Sequence, residues 1–538
     1  MRPDGDSHRV SPQVETSSLG GLTVLRASSP VGRNRATLVF RVGHFDETLA
    51  TAGITHLVEH LALAGQGEAP YDFNAEVSGR FTTFSMESAD PRDVGDFVNA
   101  VCDGLTVDHR AGLEQERRIL RTEAASRGSA GALGMCMAHR YGAQGPGLLG
   151  HEEFGLYRLT WDDIEAWRRR WFVNGNAVLW VAGTIPDELR AALPPGSGPA
   201  DDAQQSLPID LPGYLVSGRG TGHGGVGVSA TVSESEVAAA TVHVLQRRLK
   251  KVLRYERGLS YNVRAIWHEL YRDQAHIWLA ADALPDQISI AAHTMLGTIE
   301  GLASAGCTEE EIQDYTRRVR DACQSPNGPA MILGRRAQDL LEHRPPQDAD
   351  EKLRLLSELS PDEVSSACGE LLTRAIVVTP EFVPAVDGRM PPLPAWSEDT
   401  VSGTSTRSPG SDHSLTIGPD GAMLTVGEGK RVTVKYGALA AWLRWNDDKR
   451  TLIGEDGFVL QIDPAEWPDG DQLVASVDAR IDPRYKIDID TPGPQRSRKE
   501  TPSPEQPPLP GVRVTGWQSV SPIKPACQDL GWCRWTIR

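Results

Sequence analysis

Cysteine is scarce in this chain, with 7 in 538 residues. The count is odd and the positions are scattered, so no disulfide framework is expected and a reducing compartment suits the thiols. Only Cys527 and Cys533 lie close together, and without a second such pair they read as two free thiols in a tail. Long apolar runs are missing too. No stretch approaches the about 18 residues that a membrane-spanning helix needs. The opening MRPDGDSHRVSPQVE has no apolar core of signal-peptide length. These absences together lead to the expectation of a cytoplasmic protein. Positive charge is also in deficit, because 55 Lys and Arg face 72 Asp and Glu for a net charge of −17. Nucleic acid is thereby removed as an expected partner, since it calls for a basic face, and an anionic membrane surface is not favoured either.

The chain is 39% hydrophobic and 24% charged, which supports several buried cores. Its length suggests three or four domains. The clearest organising signal is an internal echo. LTWDDIEAWRRRWFVNGNAVLWVAG begins at Leu159, and LSPDEVSSACGELLTRAIVVTPEF begins at Leu359. Both open on a capping box, Thr160 with Asp163 and Ser360 with Glu363. Pro361 takes the first helical position, where its missing N–H costs nothing. An amphipathic helix and then a β-branched run follow in each copy, over 177–182 and 375–379. The two halves also begin alike. ATLVFRV (36–42) reads as a buried strand before a helix over about 50–65. GGVGVSATV (224–232) reads as a strand before the helix of AAATVHVLQRRLKKVL.

These patterns predict an α+β fold of two homologous αβ domains in tandem, with a small β-rich module after them. The expected divisions are a flexible start (1–20), a first domain (21–195), a linker (196–212), a second domain (213–395), a second linker (396–413), the β-rich module (414–490), and a Pro-rich tail (491–538) ending in Trp517, Trp532 and Trp535. GRGTGHGGVGV at 218–228 is Gly-rich, but it precedes a strand and lacks the Lys-Ser/Thr ending of a phosphate loop, so it reads as a mobile loop.

The chemistry concentrates in GITHLVEHLAL. His56 and His60 are one helical turn apart, so both imidazoles can reach one ion, and Glu59 lies beside them. Neutral imidazoles suit zinc, and a carboxylate at that position can take a proton from a water on the metal. The bland alternative is a surface helix with two solvated histidines. Ile54, Leu57, Val58, Leu61 and Leu63 surround the motif and oppose it. A third ligand is expected from another helix. GLEQERRILRTEAASR offers Glu116 and Glu123, two turns apart on one face. Either can bind the metal while the other orients a histidine.

HxxEH followed by an ExxxxxxE helix resembles the pitrilysin family of inverted-motif zinc metallopeptidases, which includes the insulinases and mitochondrial processing peptidases. The resemblance runs over about 20–390 and takes in RYGAQGPGLLGHEEFGLYRLTWDDI. It implies His56, His60 and Glu123 as ligands of one zinc per chain, Glu59 as general base, and Glu116 as supporting carboxylate. In SGRFTTFSMES it implies a substrate-pairing edge strand at Thr82, Thr83 and Phe84, with Thr82 and Thr83 replacing the family's Asn-Ala pair. LRYERGLSYNV resembles the second-half signature, so Arg254 and Tyr261 are expected to contact substrate, while the lone His243 in the preceding helix is expected to be packed or solvated rather than a ligand. One departure is the gap of 62 residues between His60 and Glu123, which is shorter than the family's usual spacing. By this resemblance the chain is a zinc endopeptidase acting on peptides in a closed dimeric chamber. A homodimer is the expected state, with one chain's Arg254 and Tyr261 serving the other's zinc. The competing reading is a silent processing-peptidase-like scaffold that binds peptides or pairs with a related active chain.

Overall fold

The computed structural model describes residues 13–198, 214–217, 224–380, 383 and 396–491, apart from 31, 68, 128–130, 272 and 428. The linker centred on 199–213, the start of the Gly-rich loop, and the tail with its three tryptophans and cysteine pair lie outside the described residues.

The first half holds strands β1 (Glu15–Leu19), β2 (Leu22–Ala27), β3 (Asn34–Phe40), β4 (Asp72–Val77), β5 (Thr82–Ser88) and β6 (Ala177–Ala182). Its helices are α1 (Ile54–Leu63), α2 (Arg92–Gly104), α3 (Leu113–Arg127), α4 (Gly131–Tyr141) and α5 (Trp161–Trp171). The strands form one sheet in the order β1-β2-β6-β3-β5-β4. The second half holds β7 (Tyr214–Ser217), β8 (Gly225–Ser233), β9 (Val263–Tyr271), β10 (Gln274–Asp282) and β11 (Ile376–Thr379). With them come α6 (Glu236–Leu249), α7 (Ile288–Ala305), α8 (Glu309–Gln324), α9 (Gly328–Leu341), α10 (Ala349–Ser357) and α11 (Pro361–Thr373). The second sheet runs β7-β11-β8-β10-β9. The five strands β2-β6-β3-β5-β4 therefore repeat as β7-β11-β8-β10-β9, including the one parallel pair of each sheet, β2 with β6 and β7 with β11.

The repeat follows from shared local signals. Both capping boxes form, with Thr160 over Asp163 at α5 and Ser360 over Glu363 at α11. Each helix then leads into an all-buried central strand, as a hydrophobic run flanked by sheet neighbours requires. One helix of each half crosses over. Ala132, Met135 and Cys136 of α4 pack on Trp278, Ala280, Ile376 and Val378 of the second sheet. Leu333, Ala337 and Leu341 of α9 pack on Leu25, Val39 and Trp180 of the first. Each sheet thus buries its second face under a helix from the other half, which covers apolar surface that the halves alone would expose.

Two sequence expectations shift. The helix anticipated over 50–65 begins at Ile54, because Gly53 adopts φ +94° and stops the preceding short turn, Leu49–Thr51, from running on. The stretch 396–413 is not simply a linker. Thr404–Arg407 forms β12, paired with β13 (His413–Ile417), and the Ser397 N–H donates to the Arg431 carbonyl at 2.8 Å. Ser/Thr/Gly composition reads as loop, but an available sheet edge supplies the hydrogen bonds that turn it into strand.

Beyond β13, strands β14 (Gly421–Val426) and β15 (Lys430–Lys435) complete one four-stranded sheet. Strands β16 (Leu439–Trp445), β17 (Arg450–Gly454), β18 (Val459–Ile462) and β19 (Lys486–Ile489) form another. Helix α12 (Gly470–Asp478) joins them, and Trp442, Trp467 and Val477 share their core. Among the described residues, no helix is long and apolar enough to cross a membrane.

Candidate metal centre

Helix α1 is buried over most of its surface, with Leu57, Val58 and Leu61 in the core of the first half. That burial fixes its rotation and turns His56, Glu59 and His60 toward α3. His56 and Glu59 are themselves buried, and ligating atoms of His56, Glu59 and His60 all lie within 4.8 Å of one another. From α3, Glu123 Oε2 stands 3.8 Å from His56 Nε2 and 3.7 Å from His60 Nε2. Helices α1 and α3 thus turn two imidazoles and one carboxylate toward a common point.

The opposite edge of each imidazole is held. His60 Nδ1 lies 3.2 Å from Glu116 Oε2, two turns along the same face of α3 from Glu123. His56 Nδ1 lies 3.0 Å from Glu153 Oε1. Carboxylates on both Nδ1 atoms fix the tautomers that leave Nε2 free to bind a metal. Burial alone would push the His56 imidazole down, but Glu153, Glu59 and Glu123 together outweigh it and hold it above its ordinary value. Burial raises the Glu59 carboxyl above the usual carboxylate range, against the pull of His56 and His60. The donor set of two nitrogens and an oxygen, with Nε2 atoms turned inward, fits a zinc ion with one position left open.

The N-terminus of α1 is anchored from below. Glu47 accepts from the backbone N–H groups of Gly53 and Thr55, both at 2.9 Å, and satisfies two donors that the helix cannot pair itself. Burial pushes this carboxyl up to about 7. Gly53 stands directly over Glu153 and Leu156, and a Cβ there would press on both, so the glycine is what lets the Glu153 segment reach α1.

The expected substrate strand is corrected. Thr82, Thr83 and Phe84 begin β5, which is paired on both sides, by β3 and by β4. The Thr82 hydroxyl donates to the Val42 carbonyl at 2.9 Å, and Phe84 is a core residue. The edge strand is β4, and its sequence, DFNAEV, includes an Asn-Ala pair at Asn74–Ala75. The sequence motif alone does not say which strand of the hairpin is the edge; pairing of β5 by both β3 and β4 does. The side chains of Asp72, Asn74 and Glu76 are exposed along one face of β4.

In the second half, Arg254 lies on a π-helical turn, Lys250–Glu256, that ends α6 and precedes β9. Its guanidinium sits 4.7 Å from the Tyr261 ring centroid, and Tyr261 is 77% exposed. The motif holds together as a cation–π pair and presents its phenol to solvent. His243 is packed, 1% exposed, with Nε2 at 3.3 Å from Asp314.

Sequence reasoning missed Glu47 and Glu153. The second lies in GHEEFGLY, a segment noticed but given no role. The first carries no local signal, because its partners are backbone N–H groups at the start of α1.

No family model matches the sequence, and no curated protein does. Solved structures do match. A protease from Helicobacter pylori superposes with a TM-score of 0.59 at 15% identity, covering 68% of this chain and 99% of that one. A peptidase M16 inactive domain from Pseudomonas fluorescens gives 0.55 at 16% identity, covering 68% and 97%. A chain of complex III2 from Candida albicans gives 0.55 at 14% identity, covering 68% and 95%. The chain therefore shares its α+β fold with a protease, with a peptidase M16 inactive domain and with a chain of complex III2.

Proposed function

We propose that the chain is a zinc metallopeptidase in which His56, His60 and Glu123 bind one ion and Glu59 is the general base. The observation that carries this reading is the convergence of both Nε2 atoms and Glu123 Oε2 on one point, with Glu59 beside it. A scaffold has no use for that fourth group. When bound, the ion supplies a Lewis acid and brings the pKa of a coordinated water to roughly 7. Glu59 accepts the proton of the attacking water and returns it to the leaving amine. Glu116 and Glu153 keep the imidazoles turned. Arg254 and Tyr261 donate to the carbonyl oxygen as negative charge builds there.

The substrate adds as a strand to the open edge of β4, where backbone groups bind an extended peptide without regard to its sequence. Asn74 lies on that edge. Asn74→Ala is expected to raise KM by about tenfold, the scale of one lost hydrogen bond in a desolvated site, with a smaller change in kcat. Thr83→Val, on the doubly paired β5, is expected to leave KM alone. Steady-state kinetics of the two variants check this, and equal effects would remove β4 as the docking edge.

The catalytic chamber is a homodimer in this reading, with Arg254 and Tyr261 of one chain completing the partner's site. Mixing Glu59→Gln chains with Arg254→Ala chains, each inactive alone, is expected to restore about a quarter of the activity, since half the random dimers hold one intact site. No recovery after subunit exchange would place both motifs in one chain's own site or make a related chain the partner. The fold's occurrence in an inactive M16 domain keeps a second reading, a peptide-binding scaffold. Elemental analysis and cleavage of an unstructured peptide separate the two: zinc without hydrolysis of any peptide favours the scaffold.

A further inference from the structure

The C-terminal module is not tethered at a distance from the metal centre. Its strands β16 and β19 pack against the two short turns that flank the site, Leu49–Thr51 before α1 and Phe154–Tyr157 after Glu153. The joint is a buried apolar cluster. Leu49, Ala50 and Phe154 on the peptidase side meet Leu443, Ile453, Ile487 and Ile489 of the module. The turns also pack on each other. A Cβ on Gly155 would run into the Thr51–Ala52 backbone, so the two move as one block.

Two polar ties flank this cluster. The Ala143 N–H donates to the Glu455 carbonyl at 3.0 Å, and Gly142 stands so close to that carbonyl that no side chain fits between. On α3, Arg121 donates through Nη2 to both carboxylate oxygens of Asp490, at 2.7 and 3.0 Å, while its guanidinium stacks 4.2 Å from the centroid of Tyr157. Arg121 thus joins three parts of the molecule: the helix carrying Glu116 and Glu123, the turn next to Glu153, and the residue that follows the module's strand β19.

We propose that the C-terminal module is a positioning element of the metal centre: by seating Phe154 and Leu49 it holds Glu153 on His56, and through the Asp490–Arg121 pair it fixes α3. Among the described residues, the module meets the site's surroundings at the turn before α1, at the turn after Glu153 and at Arg121 of α3, so its residues act through Glu153 and Glu123. The inference rests on the zinc-binding part of the proposed function and not on peptide hydrolysis. A metal site whose supporting carboxylate is seated by another module binds its ion more weakly when that seat is loosened, because the ligand must then be ordered at the expense of binding.

The test is zinc affinity of the full chain, by chelator competition, with the visible spectrum of the cobalt-substituted chain as a second readout. Ile487→Ala is expected to weaken zinc by about tenfold or more and to alter the cobalt spectrum. Glu153→Gln is expected to do the same, and the double variant is expected to be no weaker than Glu153→Gln alone, because both act through one carboxylate. Should Ile487→Ala fail to fold, Asp490→Ala carries the test, with about threefold weaker zinc restored by Asp490→Glu. Unchanged affinity and spectrum in the folded variants, or additive losses in the double variant, overturn the positioning role. A natural chain that binds zinc but cleaves nothing ends the peptidase reading and leaves this one standing. A natural chain that binds no zinc ends both.

Discussion

Replacing Glu59 with Gln is expected to reduce peptide cleavage by roughly a thousandfold or more while leaving the zinc in place. The substitution preserves volume and removes the proton acceptor. Two carboxylates compete for the roles of ligand and base here, since Glu59 Oε2 also approaches His56 Nε2, at 3.7 Å. Glu123 is the better ligand because it stands almost equally far from both imidazoles, at 3.8 and 3.7 Å, and comes from a separate helix that can close around an ion. Glu59 shares the helix of both histidines, and its buried carboxyl is raised above its ordinary value, which suits a group that must take and then give a proton. Metal content and initial rates of Glu59→Gln and Glu123→Gln decide between the assignments. Zinc kept in the first and lost in the second is the expected pair of results. The reverse exchanges the two roles, and undiminished cleavage by Glu59→Gln removes the mechanism.

The second large effect concerns stability. Arg80, in the hairpin turn between β4 and β5, reaches Glu342 just beyond α9 at 2.5 Å, and the two are 4% and 0% exposed. Glu342 also pairs with Arg344, which binds Glu234 at 2.8 Å, while Arg335 spans Glu269 at 2.8 Å and Asp339 at 2.9 Å. This network fastens the hairpin beside the metal centre to the second half. Burial holds the Arg80 guanidinium down to about 9, a measure of what it costs to keep the charge inside. Arg80→Ala leaves the fully buried Glu342 one cation short, and is expected to destabilise by about 3–5 kcal/mol. Arg92→Ala, which breaks an exposed pair with Asp90, is expected to change nothing measurable. Denaturant midpoints of the two variants provide the comparison, and similar midpoints would mean that the network is dispensable.

Much of this was legible in the sequence, for identifiable reasons. The capping boxes at Thr160 and Ser360 declare their helices locally, because the bonds that make them span only three residues. The hydrophobic surround of HxxEH announced a buried helix, and the spacing of Glu116 and Glu123 placed both on one face of another, α3. These are short-range properties, fixed by helical period and side-chain chemistry. Strand order is not. Thr82–Phe84 and Asn74–Ala75 are both plausible strand sequences, and only pairing on both sides of β5 makes β4 the edge.

The sequence by itself therefore determined the α+β repeat, the pair of imidazoles one turn apart and the helix that would bring a carboxylate to them. Tertiary structure alone decided which strand lies open, that Glu153 and Glu47 support α1, and that β16 and β19 of the C-terminal module stand behind the site. Those outcomes depend on contacts between residues tens to hundreds of positions apart. Such contacts are chosen by which apolar faces bury one another and which buried polar groups find partners, and no local period in the chain encodes that choice.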